Sequence, residues 1–238
     1  MDKKELKKYH KTQLIKLKKY NKLYFEKSKP EVTDAEYDKL KKEILSLEKK
    51  YNFLKSEKSV SEIVGYKPSK NFKKVTHKVP MLSLSNAFSR DDLINFEKKI
   101  INFLSAERNF KIFYSAEPKI DGISASLTYV NGIFTRGLSR GDGNEGEDIT
   151  ENLKTIKDIP KKITSKNFPK EIDIRGEVFI KNSDFKNLSQ KFANPRNAAS
   201  GSLRQKNPAD TKKIPLNFIA YTFGFERGLS INNQSVYL

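Results

Sequence analysis

The sequence predicts an α+β protein: a small N-terminal helical hairpin domain followed by a larger domain of antiparallel strands and short helices. Three observations carry that reading. Apolar residues recur at steps of three and four through residue 51. Residues 123–140 alternate apolar and polar side chains around Asn131-Gly132. Two further stretches, 172–180 and 216–225, have the β-branched and aromatic content of strands.

In the first helix, residues 3–28, Leu6, Tyr9, Gln13, Leu17, Tyr20 and Tyr24 form the inner stripe and lysines cover the outside. Lys29-Pro30 ends it, because a residue before proline disfavours the helical region. Thr33-Asp34-Ala35-Glu36 has capping-box spacing, and Tyr37, Leu40, Ile44, Leu47 and Tyr51 continue a second stripe. Two helices joined by a short turn pack as an antiparallel hairpin. Residues 52–80 lack periodicity and read as a connector, which puts the helical domain with its linker at 1–70 and the second domain at 71–238. After Met81-Leu82-Ser83-Leu84 comes a helix capped by Ser89, with Asp91 and Asp92 against its dipole. Leu93, Phe96, Ile100 and Phe103 are its expected inward face.

Glu117-Pro118-Lys119-Ile120-Asp121-Gly122 lies in a strand-like stretch, between 111–116 and 123–130. On a strand Glu117, Lys119 and Asp121 would share a face unless Pro118 bends the backbone. Strand 123–130 turns at Asn131-Gly132 and returns as 133–140, delivering Arg140 to Gly141-Asp142-Gly143-Asn144-Glu145-Gly146-Glu147-Asp148. Three glycines and four acids predict a flexible loop, unlike a basic phosphate cradle. A short helix near 149–156, strand 172–180, a helix capped by Ser183, the small-residue run 194–204 and strand 216–225 complete the chain.

Composition narrows the class. Hydrophobic residues make up 36% and charged residues 32%, and no apolar run approaches the roughly 20 residues that span a bilayer. No apolar signal core follows Met1, so a cytoplasmic location and no membrane partner are expected. Zero cysteines and two histidines leave no thiolate or imidazole metal site. The net charge of +18 suits nucleic acid through counterion release, and equally suits compositional drift toward lysine. Arginine is scarce, so Arg136, Arg140, Arg175, Arg196 and Arg204 stand out as sites that need planar, bidentate geometry.

Lys119 among carboxylates is either a structural ion pair or a nucleophile. A free lysine is protonated at neutral pH, and freeing its amine costs roughly 4 kcal/mol. Desolvation and nearby cations supply that, with the carboxylates engaged by a ribose or a bound Mg²⁺. The series Lys119-Ile120-Asp121-Gly122, Arg140-Gly141-Asp142-Gly143 and Arg175-Gly176-Glu177-Val178 resembles the nucleotidyltransferase motifs of DNA ligases and capping enzymes. Glu117-Pro118-Lys119, Gly146-Glu147-Asp148 to Asn152, Phe192 to Gln205, Asp34-Ala35-Glu36-Tyr37-Asp38 and His77 to Leu84 further resemble the NAD-dependent bacterial DNA ligases. That resemblance covers the chain from about residue 20.

The resemblance implies an ATP-grasp-like adenylation domain of antiparallel sheets, preceded by a helical module that ATP-using relatives lack. It implies that Lys119 attacks the α-phosphorus of NAD⁺ and expels nicotinamide mononucleotide. AMP then passes to the 5′-phosphate of nicked double-stranded DNA, with Mg²⁺ on the reacting phosphates. By the same resemblance Glu117, Ser83, Leu84 and Tyr221 hold adenine, Arg140 and Glu177 the ribose, and Arg196 and Arg204 the phosphates. Tyr24, Asp34, Tyr37 and Asp38, within the motif that includes Ala35 and Glu36, would clamp the mononucleotide half. Phe25 departs from the family's Tyr or His. The family continues beyond the position of Leu238 with two lysine-bearing strands and further domains, so an incomplete adenylation domain unable to seal nicks alone is expected. A gene fragment, a split protein whose second chain supplies those strands, and a degenerate copy all fit that end. The competing functional readings are a non-catalytic basic module and an ATP- or GTP-using transferase.

Overall fold

A computed structural model describes residues 2–23, 31–55, 72–84, 86–107, 110–165, 168–188 and 192–228. Helix α1 (Lys3–Asn21) and helix α2 (Asp34–Lys50) form the expected hairpin. The Thr33–Glu36 capping box is made in both directions. Leu17 and Ile44 are fully buried between the helices, each contributing about 1.5–3 kcal/mol. The interface also buries a pair that the stripe does not reveal, His10 Nε2 with Glu48 Oε1 at 3.1 Å. Tyr9 and Tyr20 are half-buried, and Tyr24 and the Lys29-Pro30 terminus lie outside the described residues.

The second unit is organised by a four-stranded antiparallel sheet. In chain order its strands are β2 (Ile123–Val130), β3 (Ile133–Ser139), β5 (Glu171–Phe179) and β6 (Asn217–Arg227), arranged β3-β2-β5-β6. The β2–β3 turn places Asn131 and Gly132 at φ 48° and 75°, the left-handed pair that a two-residue hairpin requires. A small second sheet pairs β1 (Lys74–Thr76) with β4 (Glu145–Glu147). One face of the large sheet buries Ala125, Leu127, Tyr129, Ile172 and Val178 beneath α4 (Thr150–Leu153) and α6 (Pro195–Leu203). Ala198, Ala199, Ser200 and Ser202 are all buried on α6, and their small side chains let its backbone approach the strands closely. Burial pushes the Tyr129 phenol up to about 12, while its hydroxyl donates to Pro160 O at 2.7 Å.

Several expectations are corrected. The residues read as connector contain β1, whose partner lies some 70 residues later in the sequence, beyond the reach of local pattern. The glycine-rich loop is a tied turn: Asp142 Oδ1 accepts from the Asn144 and Glu145 amides before β4 begins. Helix α3 (Arg90–Phe103) forms with its Ser89–Asp92 capping box, yet buries no residue. Its supposed inner face points outward, with Leu93 58%, Phe96 49% and Phe103 88% exposed. Amphipathic spacing marks which face is apolar, and nothing in the local sequence guarantees a cover. Residues 110–121 carry no strand pairing, so the shared-face placement of Glu117, Lys119 and Asp121 does not apply. The helix after β5 is α5 (Asn182–Phe185), whose N-cap is Lys181 rather than Ser183. The small-residue run is α6, capped by Asn194 with Pro195 in its first turn, and α7 (Pro208–Thr211) follows.

Candidate active site

The polar face of the sheet is assembled by register. Pairing sets Ser124 opposite Glu177, Ser126 opposite Arg175 and Thr128 opposite Asp173. Alternate residues share a face, so these six look away from the core. Tyr221 joins them as the extra residue of a bulge, between Ala220 opposite Gly176 and Thr222 opposite Arg175. Bulges of this kind re-aim a side chain.

Glu177 is the floor of the site. It is 8% exposed and accepts from Ser124 Oγ at 2.8 Å. Burial pushes its carboxyl above the usual carboxylate range, opposed by the Ser124 hydrogen bond and then by the charges of Arg196, Lys119 and Arg140. Lys119, Arg140 and Arg196, from three separate stretches, are thus near enough for their charges to favour the ionised form of this one buried carboxyl. Lys119 is exposed, but on the side of the molecule where these arginines converge. Gly122 lets that motif run close to β5, since a Cβ there would lie 2.3 Å from Val178 O.

The cations are themselves held. Arg196, in the first turn of α6, binds Asp121 at 2.8 Å, so the two ends of the site are linked through the carboxylate next but one to Lys119. Arg140 donates to Ser83 Oγ at 3.2 Å, and its amide donates to Ser124 O at 3.3 Å. Tyr221 lies beside Ser124, Glu177, Arg175 and Arg140; burial is the main cause raising its phenol, and the Ser124 hydrogen bond opposes it. Ser83 and Leu84 stand exposed above this face, and Glu117 is exposed with Ser115 Oγ donating to it at 2.9 Å. Chemically, a primary amine, two guanidiniums and a hydrogen-bonded carboxylate offer phosphate binding, hydroxyl binding and a nucleophile in one place.

Arg204 has a structural employment. It donates through Nε to Glu147 at 2.9 Å and through Nη1 to Ser200 Oγ at 3.1 Å, and Glu147 is fully buried. In the hairpin, Glu36 is engaged by the capping box, and bonds from the Thr33 backbone and hydroxyl hold its carboxyl below the usual range. Ala35 is exposed beside it. Tyr37 is half-buried against the hairpin core and donates to Asn21 Oδ1 at 2.8 Å, while burial raises its phenol. Asp38 accepts from Asn86 Nδ2 at 2.9 Å, which ties the hairpin to the segment after Leu84. The Asp34 side chain and Tyr24 lie outside what is described.

Residues 69–238 match the NAD-dependent DNA ligase adenylation domain, and residues 3–65 match the DNA ligase-like, N-terminal NAD⁺-binding domain. The chain belongs to the NAD-dependent DNA ligases. A DNA ligase of Pelagibacter ubique is 65% identical over 219 residues, covering 92% of this chain and 32% of that relative. DNA ligases of Parvibaculum lavamentivorans and Rickettsia bellii are each 46% identical over 227 residues, again covering 92% of this chain and 32% of theirs. The chain thus spans about a third of the length of these ligases.

Within this ligase framework, Ser124 is a neighbour of these residues that sequence reading did not single out, while Asp121 and His77 lie in motifs it noted without foreseeing their contacts with Arg196 and the Arg140 carbonyl. Ser124 was recoverable only from strand register. His77 is buried, with Nε2 3.2 Å from Arg140 O, and burial lowers its pKa. A cavity of about 150 Å³ opens elsewhere on the polar face, among His77, Lys78, Thr128, Arg136 and Asp173, and none of the expected nucleotide-binding residues lines it. Among the described residues no helix is long and apolar enough to cross a membrane.

Proposed function

We propose that this chain is the NAD⁺-binding and self-adenylating part of a DNA ligase, with Lys119 as nucleophile. In this reading the Lys119 amine attacks the α-phosphorus of NAD⁺. An N–P bond forms, the bridging P–O bond breaks, and nicotinamide mononucleotide leaves with the electron pair. Arg196 and Arg204 face the phosphates, Arg140 and Glu177 hold the ribose, and Ser83, Leu84, Glu117 and Tyr221 bound the adenine. Tyr24, Asp34, Tyr37 and Asp38 of the hairpin take the mononucleotide half. AMP then passes to a 5′-phosphate at a DNA nick, and the 3′-hydroxyl displaces it, which closes the strand in replication and repair and places the protein with the chromosome in the cytoplasm.

The observation that carries this reading is the convergence of Lys119, Arg140 and Arg196 on the buried carboxylate of Glu177. Guanidiniums are suited to the paired oxygens of phosphates. Among the described residues no group of three or more His, Cys, Asp and Glu side chains is arranged to hold a metal ion. The ion would come with the nucleotide, where it neutralises phosphate charge. This chain spans about a third of the length of those ligases, and on its own we expect it to yield no sealed nicks.

The test is donor choice. Incubation with NAD⁺ labelled in its adenylyl group is expected to label the chain covalently and release nicotinamide mononucleotide, whereas ATP labelled in its α-phosphate gives no product. Labelling from ATP, or none from either donor, contradicts the proposal.

A further inference from the structure

Segment 79–84 carries Ser83 and Leu84, yet it has little packing of its own. Leu82 and Leu84 are 84% and 78% exposed, and Met81 is its buried residue. Its position therefore depends on polar anchors. Several come from the turn after β3: Asn144 O accepts from the His77 amide at 2.8 Å, Gly143 O from the Met81 amide at 2.8 Å, and Arg140 reaches Ser83. Another rises from the sheet itself. Arg175, two residues before Glu177 on the same face of β5, donates from Nη1 to Pro80 O at 3.1 Å and from Nη2 to Val79 O.

We infer that Arg175 is a positioning residue that sets the height of segment 79–84 above the Glu177 floor. Its fork spans two successive carbonyls, which a lysine ammonium cannot reproduce. The placement is specific. Gly224 of β6 lies flat beneath the guanidinium: a Cβ there would come within 2.6 Å of Nε and Nη2 and 2.7 Å of Cζ. The Nε hydrogen is buried without a partner, a cost accepted so that both terminal nitrogens point at the carbonyls. The Asp173 carboxylate lies close enough to support the cation against the effect of burial. One guanidinium thus couples the strand of Glu177 to the segment of Ser83 and Leu84. That these two residues bound a nucleotide rests on the proposed function; that Arg175 holds them does not.

Two variants test this by different routes. Arg175→Lys keeps the charge and loses the fork. Gly224→Ala keeps the arginine and displaces it, and the obstructing atoms are the end of a flexible side chain, so the sheet can survive. Hydrogen exchange of the Met81 amide is expected to quicken about tenfold or more in both, with β2 amides unchanged. AMP, used as the probe, is expected to bind about tenfold more weakly to both by calorimetry. Met81 exchange within twofold of the parent (roughly experimental scatter, and well below the loss of one charged hydrogen bond) overturns the clamp. Faster exchange with unchanged AMP affinity overturns its role in the site. A parent chain that fails to bind AMP sinks the nucleotide reading instead, and the exchange result still decides whether Arg175 holds the segment.

Discussion

Arg204→Met is the sharpest stability test of the fold. Glu147 is fully buried on β4, and Arg204 lies 2.9 Å away across the junction with α6. Methionine keeps most of the apolar stem and removes the cation, leaving a buried carboxylate without its charged partner. Breaking a buried pair from one side costs about 3–5 kcal/mol. The Arg204 side chain is 26% exposed, so the lower end, about 3 kcal/mol, applies. For a chain of this size that is a fall in Tm of roughly 6–12 °C. Glu147→Gln should cost less, about 1 kcal/mol, because the freed guanidinium can turn to water. The double variant should recover about 1 kcal/mol or more relative to Arg204→Met, since no buried charge remains. Urea titrations of the four proteins measure all of this. A loss under about 1 kcal/mol for Arg204→Met, or no recovery in the double variant, would refute the reasoning.

The Glu177 carboxyl is raised from 4.5 by burial, so the folded state binds its proton more tightly than the unfolded chain. That contribution is complete below pH 4.5 and is lost as pH rises through the folded value. Glu177→Gln is therefore expected to be more stable than the parent at neutral pH, with the difference shrinking in acid, while losing NAD⁺-dependent labelling; parallel stability–pH curves would count against this. Phe103 is 88% exposed and Phe134 4% exposed. Phe103→Ser should change stability by no more than about 0.5 kcal/mol, whereas Phe134→Ala should cost about 3–5 kcal/mol, and equal losses would mean that α3 is covered after all. Thr33→Ala removes one half of the α2 capping box and should cost the hairpin about 1 kcal/mol, read as lost helicity by circular dichroism.

Several local signals in the sequence were followed by the structure, although the Ser183 cap and the strand-like stretch through Glu117 were not. The Thr33–Glu36 and Ser89–Asp92 caps, the Asn131-Gly132 turn and strands β2, β5 and β6 all depend on residues a few positions apart. Features that depend on distant partners were not legible. β1 needs β4 to exist, Ser124 meets Glu177 only through register, and Glu147 acquires Arg204 through the packing of α6. The outward apolar face of α3 has the same origin, since periodicity describes one helix and says nothing of its neighbour. The motifs of the candidate site were legible because they are short and local, but the geometry that joins them is tertiary. Arg175 shows the difference: its motif was evident, and its contact with Val79 and Pro80 was not.

Mass spectrometry of the chain after incubation with NAD⁺ tests the central claim most directly. One adenylyl group is expected on the peptide that contains Lys119, bound through an acid-labile N–P bond and absent from Lys119→Ala. An unmodified Lys119 peptide, or an adenylyl group on another residue that survives Lys119→Ala, would contradict the account.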